Sequence, residues 1–251
     1  MSKEASAELK QEKDFADKEI YLSGDPTPIV FTGEFRRIIF GVPIFTGYVG
    51  NQGIAEKAQK LAYEFRDSEQ GEVGLLAEEF AKGKKSNDKE EGGKHGITSY
   101  YSENLAINEK WKEVIEALTN ASGEIFTESG IEVTGMRMSQ MWFSIYPQDS
   151  FVPEHIHSNF RYSAVYYARA EKDCGDLVFR DPAWIAKCQG EGMNQKLNDT
   201  LGSSLYRIKP QQDLLVIFPS WLPHHTYQNK SGEDRIIVSF NFAFGDERFK
   251  M

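Results

Sequence analysis

Four of the five histidines in this 251-residue chain fall in two tight clusters, His155-Ile156-His157 and His224-His225. Imidazole is the commonest protein ligand for iron, zinc, copper and nickel, so a distribution this uneven points to a metal site. If the first cluster is extended, one intervening residue puts both rings on the same face, where they could grip a single ion. The apolar run Leu214-Leu215-Val216-Ile217-Phe218 leads through Pro219-Ser220-Trp221-Leu222-Pro223 into the second cluster and could bring a third ligand from a neighbouring strand. Adjacent strand residues point to opposite faces, so only one of His224 and His225 should reach the ion. Three protein ligands on one face of an iron centre leave three positions open, enough for a bidentate co-substrate and dioxygen. Arg235 opens the next strand-like run, and its guanidinium could clamp a carboxylate bidentately, which a lysine would do less specifically.

The elements that must position these groups are read from periodicity and punctuation. Short runs rich in Val, Ile, Phe and Tyr, separated by Pro, Gly, Asp and Asn, predict strands over 136–146, 162–168, 175–179, 206–208, 213–218 and 235–244. Two or three more strands are expected between Pro28 and Val49. A helix capped by Asn51 follows, with Ile54, Ala58, Leu61 and Phe65 on its buried face. A second helix is expected from Asn108 to Phe126, burying Trp111, Ile115, Leu118 and Ile125. Helices followed by many strands predict a mainly β fold with flanking helices, a sandwich or jelly roll with the helices on one face.

Residues 1–27 read as a polar N-terminal extension, 28–135 as strands and support helices, and 136–245 as the metal-binding core, all in a single domain. The charged, Gly-rich stretch 82–94 reads as a mobile loop. The long polar insertion 181–205 reads as a lid over the site, with Trp184 as a reporter of its closure.

A formal charge of −9 argues against a nucleic-acid partner, which would need a basic stripe. No apolar run is long enough to span a bilayer, and the first residues lack the apolar core of a signal peptide. A soluble, cytoplasmic protein is therefore expected, with Cys174 and Cys188 reduced.

Taken in order, His155-Ile156-His157, Ser163-Ala164-Val165-Tyr166-Tyr167, Gly175-Asp176-Leu177-Val178-Phe179, Asp181-Pro182, Phe218-Pro219-Ser220-Trp221-Leu222-Pro223-His224 and Arg235 form a recognisable series. It resembles the prolyl-hydroxylase-like branch of the 2-oxoglutarate- and Fe(II)-dependent dioxygenases, in particular a group of oxygenases of bacteria and phages. Ile39-Phe40-Gly41-Val42-Pro43-Ile44-Phe45 is similar to that group's opening segment, so the resemblance covers roughly residues 38–245. It implies a double-stranded β-helix (a cupin-like jelly roll) using Fe(II) and 2-oxoglutarate, with His155, His157 and His224 as metal ligands. The resemblance also implies that Arg235 pairs with the distal carboxylate of 2-oxoglutarate, helped by the Tyr167 hydroxyl, while Tyr146 and Ser144 line the pocket. The strand reading agrees that Trp142, Ser144 and Tyr146 share a face.

The implied reaction releases succinate and CO2 and hydroxylates an unactivated C–H bond of a prolyl, peptidyl or small-molecule substrate. One departure stands out: the superfamily's second ligand is normally Asp or Glu, and His157 occupies that position. Alternative registers use Asn159, an oxygen of Glu154, or His225 in place of His224. Two other functions compete: a three-histidine cupin-type dioxygenase or zinc hydrolase without 2-oxoglutarate, and a non-catalytic jelly-roll module. Oligomeric state is not legible.

Overall fold

Alternation along the long strands divides their side chains between two apolar layers, and that division places every candidate site residue on one side. The computed structural model describes residues 41–68, 96–102, 104–131, 134–183 and 204–244. The strands are β1 (Phe45–Tyr48), β2 (Ile97–Thr98), β3 (Met136–Tyr146), β4 (Tyr162–Arg169), β5 (Leu177–Arg180), β6 (Leu205–Ile208), β7 (Leu214–Pro219), β8 (His224–Thr226) and β9 (Arg235–Phe244). Helix α1 (Gln52–Arg66) and helix α2 (Lys112–Glu128) complete the framework. Strands pair antiparallel in two sheets, one ordered β1-β7-β4-β9-β3-β2 and a smaller one ordered β6-β5-β8.

Ile236, Val238, Phe240 and Phe242 of β9 join Met141, Phe143 and Ile145 of β3 and Ala164 and Tyr166 of β4 in the layer that packs on the helices. The intervening residues Ile237, Val165, Tyr167, Val216 and Phe218 face the other way and pack with Leu177 and Phe179 of the small sheet. A sheet covered on both faces needs apolar residues at consecutive positions, which is why these strands read as nearly unbroken hydrophobic runs. The polar exceptions Ser144, Ser163, Arg235, Ser239 and Asn241 are all buried, and by alternation all face the small sheet. This two-layer arrangement is the double-stranded β-helix.

In α1, the Asn51 side chain accepts a hydrogen bond from Gly53 N (3.1 Å), and Ile54, Ala55, Ala58 and Ala62 are buried. Leu61 and Phe65 pack half-buried against the same layer. The second helix departs from expectation. Two short 3-10 turns, Leu105–Ile107 and Glu109–Trp111, precede α2 and take up the capping side chains of Asn104 and Asn108. Its buried face is Val114, Leu118, Ser122 and Phe126, with Ile115 and Ile125 half-buried at its flanks. The Ser122 hydroxyl donates to Leu118 O (2.6 Å), which lets a polar residue occupy a position the apolar pattern passed over.

The His155–His157 stretch is extended but is not a regular strand. His155 and His224 exchange two backbone hydrogen bonds (2.9 and 3.0 Å) as an isolated bridge alongside β8. Pro153 has no N–H to continue that ladder, and Thr226 N instead bonds Val152 O (3.0 Å). Residues 1–40 and 82–94, most of the 181–205 insertion including Trp184, and Cys188 lie outside the described residues. Leu205, placed in that insertion by the sequence reading, begins β6. Cys174 is a free, buried thiol. Among the described residues, no helix is long and apolar enough to cross a membrane.

Candidate metal centre

One ring nitrogen from each of His155, His157 and His224 lies within 4.8 Å of the other two. The hydrogen-bond partners identify which nitrogen. His155 Nδ1 lies 2.9 Å from Pro153 O, and His224 Nδ1 lies 2.8 Å from Leu222 O. A carbonyl only accepts, so both rings carry their proton on Nδ1 and keep a lone pair on Nε2. His157 Nδ1 lies 2.8 Å from Asn241 Oδ1, and its Nε2 stands 3.2 Å from His155 Nε2. Imidazoles held through Nδ1, with Nε2 atoms converging on one point, are the donor set of a transition-metal site with its supporting hydrogen bonds already made.

Burial lowers the pKa of all three rings. In His157 it outweighs the hydrogen bond to Asn241 and, with His155 alongside, pushes the value down to about 4. In His155 burial outweighs the bond to Pro153, and in His224 burial and the neighbouring His155 hold it well below the ordinary value. The rings are neutral near pH 7, the state that binds metal. His224 is the deepest of the three, 5% exposed, with its ring against Phe218 and Phe179.

The alternative ligands are placed elsewhere. The Glu154 carboxylate is held by Arg180 Nε (2.7 Å) and lies 3.7 Å from His225 Nδ1. His225 projects from the opposite face of β8, its Nδ1 buried without a hydrogen-bond partner. Asn159 is exposed, in the turn after His157, with φ of 70°. Among the described residues the ligand cluster contains no carboxylate.

Arg235 is 1% exposed and ends in the same inter-sheet space. Its Nη1 donates to Cys174 O (2.7 Å) and Gly175 O (3.2 Å), and its Nη2 donates to Thr226 Oγ1 (3.0 Å). Its Nε has no partner, and among the described residues no carboxylate lies within ion-pairing distance. A buried guanidinium left with carbonyls and a hydroxyl is under-compensated, and an anionic ligand is its natural partner. The guanidinium lies 4.8 Å from the centre of the Tyr146 ring. Burial raises the pKa of Tyr146 and Tyr167, and the Arg235 charge only partly opposes it, so both phenols remain O–H donors. Ser144 Oγ donates to Thr98 Oγ1 (2.9 Å) beside them. Thr226 shares a face of β8 with His224, about 7 Å along the strand, a separation suited to a short dicarboxylate.

Gly175 makes this pocket possible. Its φ is +94°, and a Cβ there would sit 2.2 Å from Tyr227 O and 2.9 Å from Arg235 Nη1. Gly175→Ala is expected to lower stability by at least about 1–3 kcal/mol, read by urea unfolding of the two proteins. Unchanged stability would mean that the loop relaxes away from the arginine at no cost.

The sequence reading quoted Ser163 and Ser220 within its motifs without a role at the site and passed over Asn241, Thr226 and Gln140, all of which surround the histidines and the arginine. The signal for Asn241 was a polar residue at an inward position of a largely apolar strand. A cleft of about 190 Å³ opens beside the site, lined by Tyr100, Tyr101, Ser102, Asn104, Gln140, Met141 and Trp142. Its aromatic rings form an edge-to-face series, Tyr101 to Tyr100 (5.0 Å) to Trp142 (5.1 Å), and the Trp142 ring lies 5.6 Å from that of His157.

Residues 140–241, a span that includes all three histidines and Arg235, match the family described as "Putative 2OG-Fe(II) oxygenase". Among solved structures, the chain is similar to AviO1 from Streptomyces viridochromogenes Tue57, with a TM-score of 0.52 and 11% identity over 80% of this chain and 90% of that one. It is also similar to a Pseudomonas putida prolyl-4-hydroxylase, with a TM-score of 0.46 and 16% identity over 80% of this chain and 92% of that one. A third is an oxidoreductase of the 2OG-Fe(II) oxygenase family from Burkholderia pseudomallei, with a TM-score of 0.42 and 11% identity. The match to it covers 55% of this chain and spans 59% of that protein's length. At these identities the likeness is one of fold. No curated protein matches the sequence.

Proposed function

We propose that the chain, whose residues 140–241 match the family described as "Putative 2OG-Fe(II) oxygenase", uses Fe(II) and 2-oxoglutarate to hydroxylate an unactivated C–H bond at a three-histidine iron site. The observation that carries this reading is a pairing of two features in one inter-sheet space. Three neutral imidazoles converge on a point, and a buried arginine that has no acidic partner among the described residues stands beside them. A zinc hydrolase would use the first feature and leave the second without a role.

In this reading His155, His157 and His224 hold the iron through Nε2. Arg235 takes the distal carboxylate of 2-oxoglutarate, and the Tyr167 hydroxyl adds a second donor. Tyr146 and Ser144 wall the pocket, with the Tyr146 ring lying against the guanidinium. Bound iron and 2-oxoglutarate supply the oxidising chemistry, in which one atom of dioxygen enters succinate and the other enters the product alcohol. The apolar residues Leu177, Phe179, Val216 and Phe218 between the two sheets exclude water.

The substrate approaches along the Tyr101–Tyr100–Trp142 series. Among the described residues no charged side chain lines the cleft, and its small volume takes a single ring or side chain, below the roughly 300 Å³ of a drug-sized pocket. This reading takes the substrate to be a prolyl or peptidyl group or a small molecule. Adding Fe(II), 2-oxoglutarate and oxygen to the purified chain should release succinate, and a chelator should stop it. A substrate screen by mass spectrometry then identifies the hydroxylated product. Absence of succinate under every substrate tried, with iron and 2-oxoglutarate bound, would contradict the proposal.

A further inference from the structure

The three rings are not oriented in the same way. His155 and His224 place Nδ1 against backbone carbonyls, which only accept, so their tautomers are fixed by the main chain. His157 is oriented instead by side chains, the amide of Asn241 (2.8 Å) with the Ser163 hydroxyl alongside (2.9 Å), and an amide offers an acceptor on one side and a donor on the other.

The surrounding bonds form a single directed series. Asn241 Nδ2 donates to Gln140 Oε1 (3.1 Å), which leaves Asn241 Oδ1 facing the histidine. That oxygen accepts from His157 Nδ1 (2.8 Å) and from Ser163 Oγ (2.7 Å), and Ser163 Oγ also lies 2.9 Å from His157 Nδ1. With its own proton committed, Ser163 Oγ accepts from Ser220 Oγ (2.8 Å). Reversing both amides gives an equally connected series of the opposite sense. Asn241 would then donate to His157 Nδ1, and the ring proton would move to Nε2, 3.2 Å from the lone pair of His155 Nε2. In that state His157 has no lone pair to offer a metal.

We infer that Asn241, oriented by Gln140, is a positioning residue that selects the metal-competent tautomer of His157. Gln140 also lines the cleft beside Trp142, so the wall that meets substrate is one hydrogen bond from the residue that sets the third ligand. The inference rests on the reading of His157 as a ligand, and the test separates the two.

In the metal-free full-length chain, nitrogen-15 spectra of the histidine rings should show the Nδ1–H form for His155, His157 and His224. Asn241→Leu should convert His157 to a mixture or to the Nε2–H form and leave the other two unchanged. Its affinity for Fe(II) alone, measured without oxygen, should fall about 10- to 100-fold. Asn241→Asp keeps an acceptor facing His157 and should retain both the tautomer and the affinity. Gln140→Leu, nearer the surface, should give a smaller shift of the same kind and serves if Asn241→Leu fails to fold. An Nε2–H form of His157 in the unsubstituted chain would overturn the inference. So would wild-type tautomer and affinity in Asn241→Leu, or in Gln140→Leu where that variant serves. Failure of the unsubstituted chain to bind Fe(II) would overturn the ligand reading itself.

Discussion

His224→Ala should reduce Fe(II) binding from one equivalent to background, and with it all succinate formation. His224 is the most buried of the three rings, its Nδ1 is locked to Leu222 O, and its backbone makes the bridge that holds His155 in place. Losing a coordinating nitrogen should exceed the roughly 10–100-fold loss that follows removal of a supporting hydrogen bond. His157→Ala should act in the same direction, and the backbone bridge between His155 and His224 stays in both variants. Anaerobic dialysis followed by iron analysis measures both. Full iron occupancy in the His157→Ala protein would remove that residue from the ligand set and leave a site with two histidines.

Arg235→Lys should separate the two halves of the site. A lysine keeps the charge but cannot reproduce three bonds from two nitrogens to Cys174 O, Gly175 O and Thr226 Oγ1 while still presenting a flat, two-pronged face to a carboxylate. Losing one charge-assisted hydrogen bond costs about 1.5–3 kcal/mol, so the dissociation constant for 2-oxoglutarate should rise about 10- to 100-fold with iron binding unchanged. Calorimetric titration of the iron-loaded variant under anaerobic conditions checks this. Unchanged affinity would mean that the co-substrate's distal carboxylate is held elsewhere.

Much of the core was legible because its strands are covered on both faces. Met141–Tyr146 is apolar and aromatic apart from Ser144, and Ile236–Phe244 apart from Ser239 and Asn241, and β3 and β9 contain those runs. The short edge elements were not legible. β2 has two residues and β8 three, too few for any alternation to register. The face of α2 was misjudged because Ser122 and Phe126 lie on it while the pattern favoured Ile115 and Ile125.

At the site, the spacing of His155 and His157 was informative even though its stated reason was incomplete. Extended backbone and a single bridge to His224 set the two rings on one side without a regular strand. What the sequence left unreadable was the support. Asn241 and Ser163 are separated by most of the core, and only the pairing of β4 with β9 brings them opposite each other. Gly175 was read as the start of a strand, whereas β5 begins at Leu177 and Gly175 lets the backbone approach a guanidinium.

The central claim, that three histidines hold iron beside an arginine that holds 2-oxoglutarate, is tested most directly by adding 2-oxoglutarate to the Fe(II)-loaded chain without oxygen. A co-substrate chelating the metal should produce a visible charge-transfer band that saturates at one equivalent of each. The account predicts that band in the unsubstituted chain, its loss in His224→Ala, and its appearance only at higher 2-oxoglutarate concentration in Arg235→Lys. Iron bound at full occupancy with no band at any 2-oxoglutarate concentration would contradict it.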